Sequence, residues 1–214
     1  EARDNYEIGT LIGDEMDKAV LDLAEDLEDQ WMTDGTGNGS KDQTGIIIAN
    51  DATGTYAGLA RATYTFWASV EQAAIGTMAL SDVQTVFQTL RNSTRRSKPD
   101  LVLCGPPVFD IMANLLDDRV TYMEPGSSLP NGLVLKHGVA AIHWRGAVWT
   151  EIPGYTTQRF DAVQSSDWHF DIVRNFAWDP VEIDGDDITT KMTVGMNLVC
   201  DHPGRQGHGI GITA

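Results

Sequence analysis

The chain has 214 residues, 42% hydrophobic and 21% charged, and its 31 acids against 15 bases give a formal net charge of −16. A chain of this size buries roughly 70% of its unfolded surface, so one large domain or two small lobes can fold without staples, and this composition excludes the disordered and fibrous classes. The acidic balance repels phosphate and argues against a dedicated nucleic-acid-binding surface, and no apolar run approaches the roughly 18 residues of a membrane span.

The first residues are acidic and polar rather than basic and then apolar, which leads to the expectation of no signal peptide and of intracellular synthesis. A helical pattern starts almost at Glu1, so the chain reads as a fragment or a processed product. Apolar residues at Ile8, Ile12, Met16, Val20, Leu23, Leu27 and Trp31 recur in steps of three and four, which predicts an amphipathic helix over residues 4–31. Asp34-Gly35-Thr36-Gly37-Asn38-Gly39 then opens a loop over residues 33–44. That loop follows a helix, whereas a phosphate cradle should follow a strand and open a helix, and it lacks the spacing and distal Glu of an EF-hand, so it reads as a mobile connector.

Ile46-Ile47-Ile48 predicts a short strand over residues 46–49, closed by the turn signal Asp51-Ala52-Thr53-Gly54. Tyr56, Leu59, Tyr64, Phe66 and Trp67, broken by small residues, predict irregular packed structure. A second helix is expected from Leu80 to about Ser97, with Ser81 as cap and Pro99 as stop. Leu101 to Cys104 reads as a buried strand, and Gly105-Pro106-Pro107 turns the chain into a helix over residues 108–117. From Gly132 the pattern is mostly extended: residues 133–136, 140–144, 147–152, 168–174 and 188–200, with Arg145-Gly146 as a tight hairpin turn. Pro203, Gly204, Gly207, Gly209 and Gly211 are expected to end regular structure. The class is α+β (mixed α/β).

Cys104 and Cys200 sit in apolar runs and read as buried free thiols. Arg91 and Arg95 lie one helical turn apart, with Arg96 and Lys98 close by; the alternatives are a phosphate contact or a solvated helix end. The histidines at 137, 143, 169, 202 and 208 show no zinc spacing; His143 and His169 read as packed beside Trp144 and Trp168, and His202 and His208 bracket a tail too flexible for a pre-organised site. Asp184, Asp186 and Asp187 around Gly185 read as a solvated hairpin tip rather than part of an oxygen cage. With no Gly-x-Ser-x-Gly elbow and no cysteine in a nucleophile's flanks, no catalytic, cofactor-binding or metal-binding residue is assigned, no cofactor is expected, and the chain is read as a non-enzyme.

Asp34-Gly35-Thr36-Gly37 with Thr44-Gly45-Ile46 after a long helix, Tyr56-Ala57-Gly58-Leu59-Ala60-Arg61 with Trp67, Pro99-Asp100-Leu101-Val102-Leu103, and Asn197-Leu198-Val199-Cys200 through Pro203-Gly204-Arg205-Gln206-Gly207 occur in an order that resembles the major capsid proteins of tailed bacteriophages, the group with the Hong Kong 97 capsid fold. The resemblance covers nearly the whole chain. It implies a spine helix and glycine-rich connector over 1–44, an axial domain over 45–155, peripheral-domain strands over 156–200 and a tail over 201–214. It implies a structural subunit of an icosahedral shell, a homo-oligomer of hexamers and pentamers enclosing double-stranded DNA without sequence-specific binding, with a scaffolding protein as a further partner and no membrane. Its place would be the virion, after synthesis in the host cytoplasm. Family members carry an N-terminal arm and an extended loop that have no counterpart in this sequence, so a truncated core fragment is expected, whose assembly requires those elements. No lysine and asparagine match the cross-linking pair of some relatives. The alternatives are an encapsulin-like compartment and a stand-alone acidic α+β enzyme using His143, Asp161 or Asp171 as acid and base.

Overall fold

The computed structural model describes residues 2–33, 35, 42–92, 94–116, 141–155, 158–180, 182–184 and 187–213, with the backbone alone at 2–12, 183, 184, 187 and 188. The expected strand over 133–136 and His137 lie outside the described residues, as does the loop over 34–39 apart from Gly35.

The helix α1 (Ala2–Trp31) follows the apolar stripe over 30 residues, about 45 Å at 1.5 Å per residue. From Gly13 onward it holds no fully buried residue; Met16, Leu23, Leu27 and Trp31 are half-covered. Its C-terminal end is anchored by Trp31, whose Nε1 donates to Gln43 Oε1 at 3.2 Å and whose ring packs on Phe170 at 5.1 Å. The chain passes so close to the helix end at Gly45 that a Cβ there would lie 2.1 Å from the Thr33 carbonyl oxygen.

The expected strand at residues 46–49 is instead one helical turn, α2 (Ile46–Ala49), with Ala49 N–H and Asn50 N–H donating to the Gly45 and Ile46 carbonyls. Three β-branched isoleucines favour extension locally, but tertiary contacts override them. Ile46 and Ala49 are buried, and two guanidiniums take the carbonyls that a short helix leaves unpaired. Arg61 Nη2 donates to Ile48 O at 2.9 Å and Ala49 O at 2.8 Å, and Arg159 Nη2 donates to Asn50 O at 2.7 Å.

A tight hairpin, β1 (Thr55–Tyr56) and β2 (Leu59–Ala60), turns through Ala57 (φ 50°) and Gly58 (φ 78°), a pair of left-handed residues that suits the twist of a two-residue loop. After β3 (Val70–Gln72) and β4 (Gly76–Thr77) comes α3 (Leu80–Leu90). It is shorter than expected, and Ser81 is not its cap: the Asp82 carboxylate accepts from the Ala79 N–H at 2.9 Å. It ends before Pro99 because Asn92 Oδ1 accepts from Thr94 and Arg95 N–H groups at 3.0 Å, offering the backbone a turn in place of helix.

Next, β5 (Leu101–Cys104), β6 (Ala141–Trp144) and β7 (Ala147–Glu151) appear as read, with Arg145 (φ 52°) and Gly146 (φ 86°) turning the β6–β7 hairpin, whereas α4 (Pro106–Leu115) starts two residues earlier than expected, with Pro106 and Pro107 in its first turn. The sequence reading missed β8 (Arg159–Val163), buried along its whole length. β9 (Trp168–Trp178) pairs antiparallel with β12 (Met192–Cys200) in a separate ribbon, with the hairpin of β10 (Glu182–Asp184) and β11 (Asp187–Thr189) in the chain between them. The tail is a correction too. Rather than ending regular structure it forms β13 (Gly207–Ile210) and β14 (Ile212–Thr213).

Six strands form one mixed sheet in the order β3-β13-β8-β5-β7-β6, with β13–β3 and β5–β7 parallel. One face carries Val102, Trp149, Phe160 and Ala162 and packs with Val83, Val86, Phe87 and Leu90 of α3 and Val108, Phe109 and Met112 of α4. On this face a Cβ at Gly209 would lie 2.3 Å from Phe160 Cε1, so only glycine lets β13 pass beneath that ring. The opposite face buries Leu103, Val163 and Tyr155 with Ile46 of α2 and Leu198 of β12.

Candidate functional site: a buried polar lock and two exposed surfaces

On that second face the period of two places Arg159, Asp161 and Val163 together, and the register sets His208 opposite Asp161 and beside Glu71. Asp161 is fully buried. Its carboxylate accepts from Arg159 Nε and Nη2, each at 2.7 Å, from Asn50 Nδ2 at 2.6 Å, and from the Tyr155 hydroxyl. A bidentate guanidinium and two neutral donors are what a buried carboxylate requires. Asn50 Nδ2 also donates to Gly207 O at 2.9 Å, and Arg159 holds the Asn50 carbonyl. The network therefore ties α2, β8 and β13 into one unit.

Burial pushes the Tyr155 phenol well above its ordinary range, with the Asp161 charge adding to the effect, so the hydroxyl stays a donor. Burial works against the charge on Arg159, but the bonds to Asp161 overcome it and hold its pKa raised. Burial and the Arg159 charge lower the pKa of His208, favouring neutral imidazole. These are properties of a structural lock, with Asp161 fully buried.

A second polar cluster docks the tail. The Gln206 side chain accepts from Gln164 N–H at 2.7 Å and donates to Asp167 at 3.3 Å and to His202 O at 3.2 Å. Burial raises the pKa of Asp167, with Arg205 at 3.6 Å opposing it.

The structure separates most of the residues singled out in the sequence. Arg91 donates to Arg145 O at 2.6 Å and Arg95 to Ala68 O at 2.7 Å and to Gly204 O, so both spend their charge on carbonyls of this chain. Burial lowers the pKa of Arg95. Arg95 and Arg96 line a surface cleft of about 970 Å³ with Phe66, Trp67, His202 and Arg205. Cys104 and Cys200 are buried free thiols, as read. Burial pushes Cys200 up to about 12 and Cys104 higher still.

The proposed acid–base trio is not brought together. His143 lies on the edge strand β6, three strands from Asp161 across β7 and β5, about 14 Å at the usual strand spacing. Asp171 sits on the ribbon, 3.3 Å from His169. Asp184 and Asp187 face each other in the β10–β11 register, but their side chains and Asp186 lie outside the description. His208, read as part of a flexible tail, is instead only 1% exposed. Its Nε2 is 3.3 Å from Glu71 Oε2, and one ligand atom from each of His208, Glu71 and Asp51 lies within 4.8 Å of the others. Sequence reasoning had no signal for this trio, because Glu71 and His208 are 137 positions apart and only the strand register joins them.

Two surfaces face outward. The ribbon strand β9 exposes Phe170, Ile172, Val173 and Phe176, with Val173 at 91%. The helix α1 exposes Val20 and Leu21. No described helix is long and apolar enough to cross a membrane.

The described chain thus combines a long helix with no fully buried residue from Gly13 onward, a mixed six-stranded sheet packed with helices on one face, and a separate two-stranded antiparallel ribbon. No family model and no curated protein matches the chain. A solved structure, the cyanophage A-1(L) capsid asymmetric unit, is similar with a TM-score of 0.71 and 14% identity, over 95% of this chain and 69% of that one. At that identity the likeness shows the fold, which is that of a phage capsid protein.

Proposed function

We propose that this chain is a structural subunit of an icosahedral bacteriophage capsid of the Hong Kong 97 type, assembling into hexamers and pentamers around double-stranded DNA. The observation that carries the reading is the fold likeness over 95% of the chain. Apolar side chains left exposed on α1 and β9 support it, since shells cohere through many copies of modest contacts closed by symmetry. The net charge of −16 suits a wall that touches packaged DNA without gripping it.

On this reading α1 is the spine of a peripheral domain, residues 45–155 supply most of the axial domain, and residues 156–200, apart from β8, return to the periphery. The six-stranded sheet draws β8 and β13 into the same layer as β5 and β7, so the axial unit takes those strands as well. The chain works as a rigid part, and the lock at Asp161 keeps α2 and the sheet fixed while neighbouring subunits load the spine. A scaffolding protein is a further partner, and the virion is the place of action after synthesis in the host cytoplasm.

The test is negative-stain electron microscopy of the material that an antibody to this chain recovers from its native source, with nuclease-protected DNA measured in the same fraction. Uniform shells holding double-stranded DNA are the expected result. Shells filled with protein would favour the encapsulin-like compartment, and small species without shells would sink both.

A further inference from the structure

We propose that Asp51, Glu71 and His208 form a binding site for a divalent transition-metal ion that staples the last strand of the sheet to its edge. The three come from separate parts of the fold. Asp51 follows α2, Glu71 sits on the edge strand β3, and His208 is on β13 directly opposite Glu71 in the parallel register. One imidazole nitrogen and one oxygen from each carboxylate lie within 4.8 Å of one another. Ligands around one ion at about 2.1 Å stand no more than about 4.2 Å apart, so side-chain rotations alone close the set.

The arrangement is built rather than incidental. Thr53 donates to Asp51 Oδ1 from its N–H at 3.0 Å and its hydroxyl at 3.3 Å, which orients the carboxylate, and Ser69 N–H donates to the Asp51 main-chain carbonyl at 3.3 Å, which ties that residue's backbone to the start of β3. His208 is 1% exposed, and its Nδ1 has no hydrogen-bond partner among the described residues. The other ring nitrogen, Nε2, faces Glu71 Oε2 at 3.3 Å, so a buried imidazole stands against the acids at the place where a metal takes the neutral ring as ligand.

Two carboxylates offset a double positive charge, and the neighbouring Arg159 is already paired with Asp161. One nitrogen and two oxygens suit zinc or manganese better than calcium, which takes six to eight oxygens. Glu71 stands exposed at the rim, and it gives the ion a path in and leaves coordination positions for water.

The test uses the whole chain, stripped with chelator and titrated with Co²⁺ while the visible absorption is followed, then with Zn²⁺ in competition. One saturable Co²⁺ per chain is expected, displaced by Zn²⁺, with Zn²⁺ raising the thermal midpoint by several degrees. Glu71→Gln and Asp51→Asn, both at accessible positions that should fold, are expected to weaken binding by more than about tenfold, the loss that removing even an outer-shell partner causes. His169→Ala, which removes the exposed imidazole beside Asp171 and Asp201, is expected to change nothing. Absence of saturable binding, binding that survives both carboxylate variants, or binding that disappears in His169→Ala overturns the proposal.

Discussion

From Arg159 to Val163 five consecutive residues are buried and two of them are charged, whereas from position 169 to 177 nine consecutive residues are exposed and four are large and apolar. Both segments are β-strands of one chain. The first shows how a sheet tolerates charge at its centre: Arg159 and Asp161 stand on one face and satisfy each other, while Phe160 and Ala162 fill the opposite core. Among the described residues the second pairs with β12, and its ring contacts are Trp31 on Phe170 and, within the strand, Phe176 on Trp178, which leave Ile172 and Val173 exposed. The sheet carries the stability, and the ribbon with α1 carries the surface.

The largest effect that tests this division is expected from Arg159→Met. The substitution keeps much of the side chain's length but leaves the Asp161 carboxylate buried with only Tyr155 and Asn50 as donors. Removing one partner of a buried ion pair costs about 3–5 kcal/mol, measured here as a fall in urea-unfolding free energy. Arg159→Met with Asp161→Leu should recover much of the loss, because the penalty lies in the orphaned charge. A single-variant loss under about 1 kcal/mol would mean that water reaches the lock.

Raising the pH should loosen both regions, through Cys104 on β5 of the sheet and Cys200 at the end of β12 in the ribbon. Cys104 and Cys200 have an ordinary thiol value of 9.0, and burial raises both, Cys200 to about 12. Above pH 9 the unfolded chain gives up these protons while the folded chain retains them, so stability falls as pH rises. At pH 10 each thiol should cost about 1.4 kcal/mol relative to pH 8. Urea midpoints at the two values should converge in Cys104→Ala combined with Cys200→Ala, and an unchanged pH slope in that double variant refutes the assignment.

How legible these regions were in the sequence follows from the same physics. The helix α1 was readable because its stripe has a single period, even though the structure leaves that stripe half-covered. β5, α4 and the β6–β7 hairpin were readable from apolar runs and turn residues that act locally. β8 was not, since Arg159 and Asp161 look like solvated charges until the fold pairs them. β13 was hidden for the opposite reason: Gly207 and Gly209 signal loop, yet they are required where Val86, Leu90 and Phe160 press on the strand. At residues 46–49 the isoleucines pointed to a strand, and the carbonyl bonds from Arg61 and Arg159 that make a helical turn come from distant positions. Of the candidate sites, the buried thiols were visible and the trio of Asp51, Glu71 and His208 was not, because only strand register assembles it.

The smallest expected effect makes the comparison sharpest, because one substitution can be made in both regions. Val102 lies fully buried on β5 and Val173 is 91% exposed on β9. Threonine keeps the branched shape that strands favour and replaces one methyl by a hydroxyl. Val102→Thr forces that hydroxyl into the core and should cost about 1–3 kcal/mol, while Val173→Thr should shift unfolding by less than about 0.5 kcal/mol. If Val173→Thr proves as damaging as Val102→Thr in the isolated chain, the ribbon belongs to the folded core. If it is silent there but lowers the yield of assembled particles, β9 keeps its apolar side chains for a neighbouring copy.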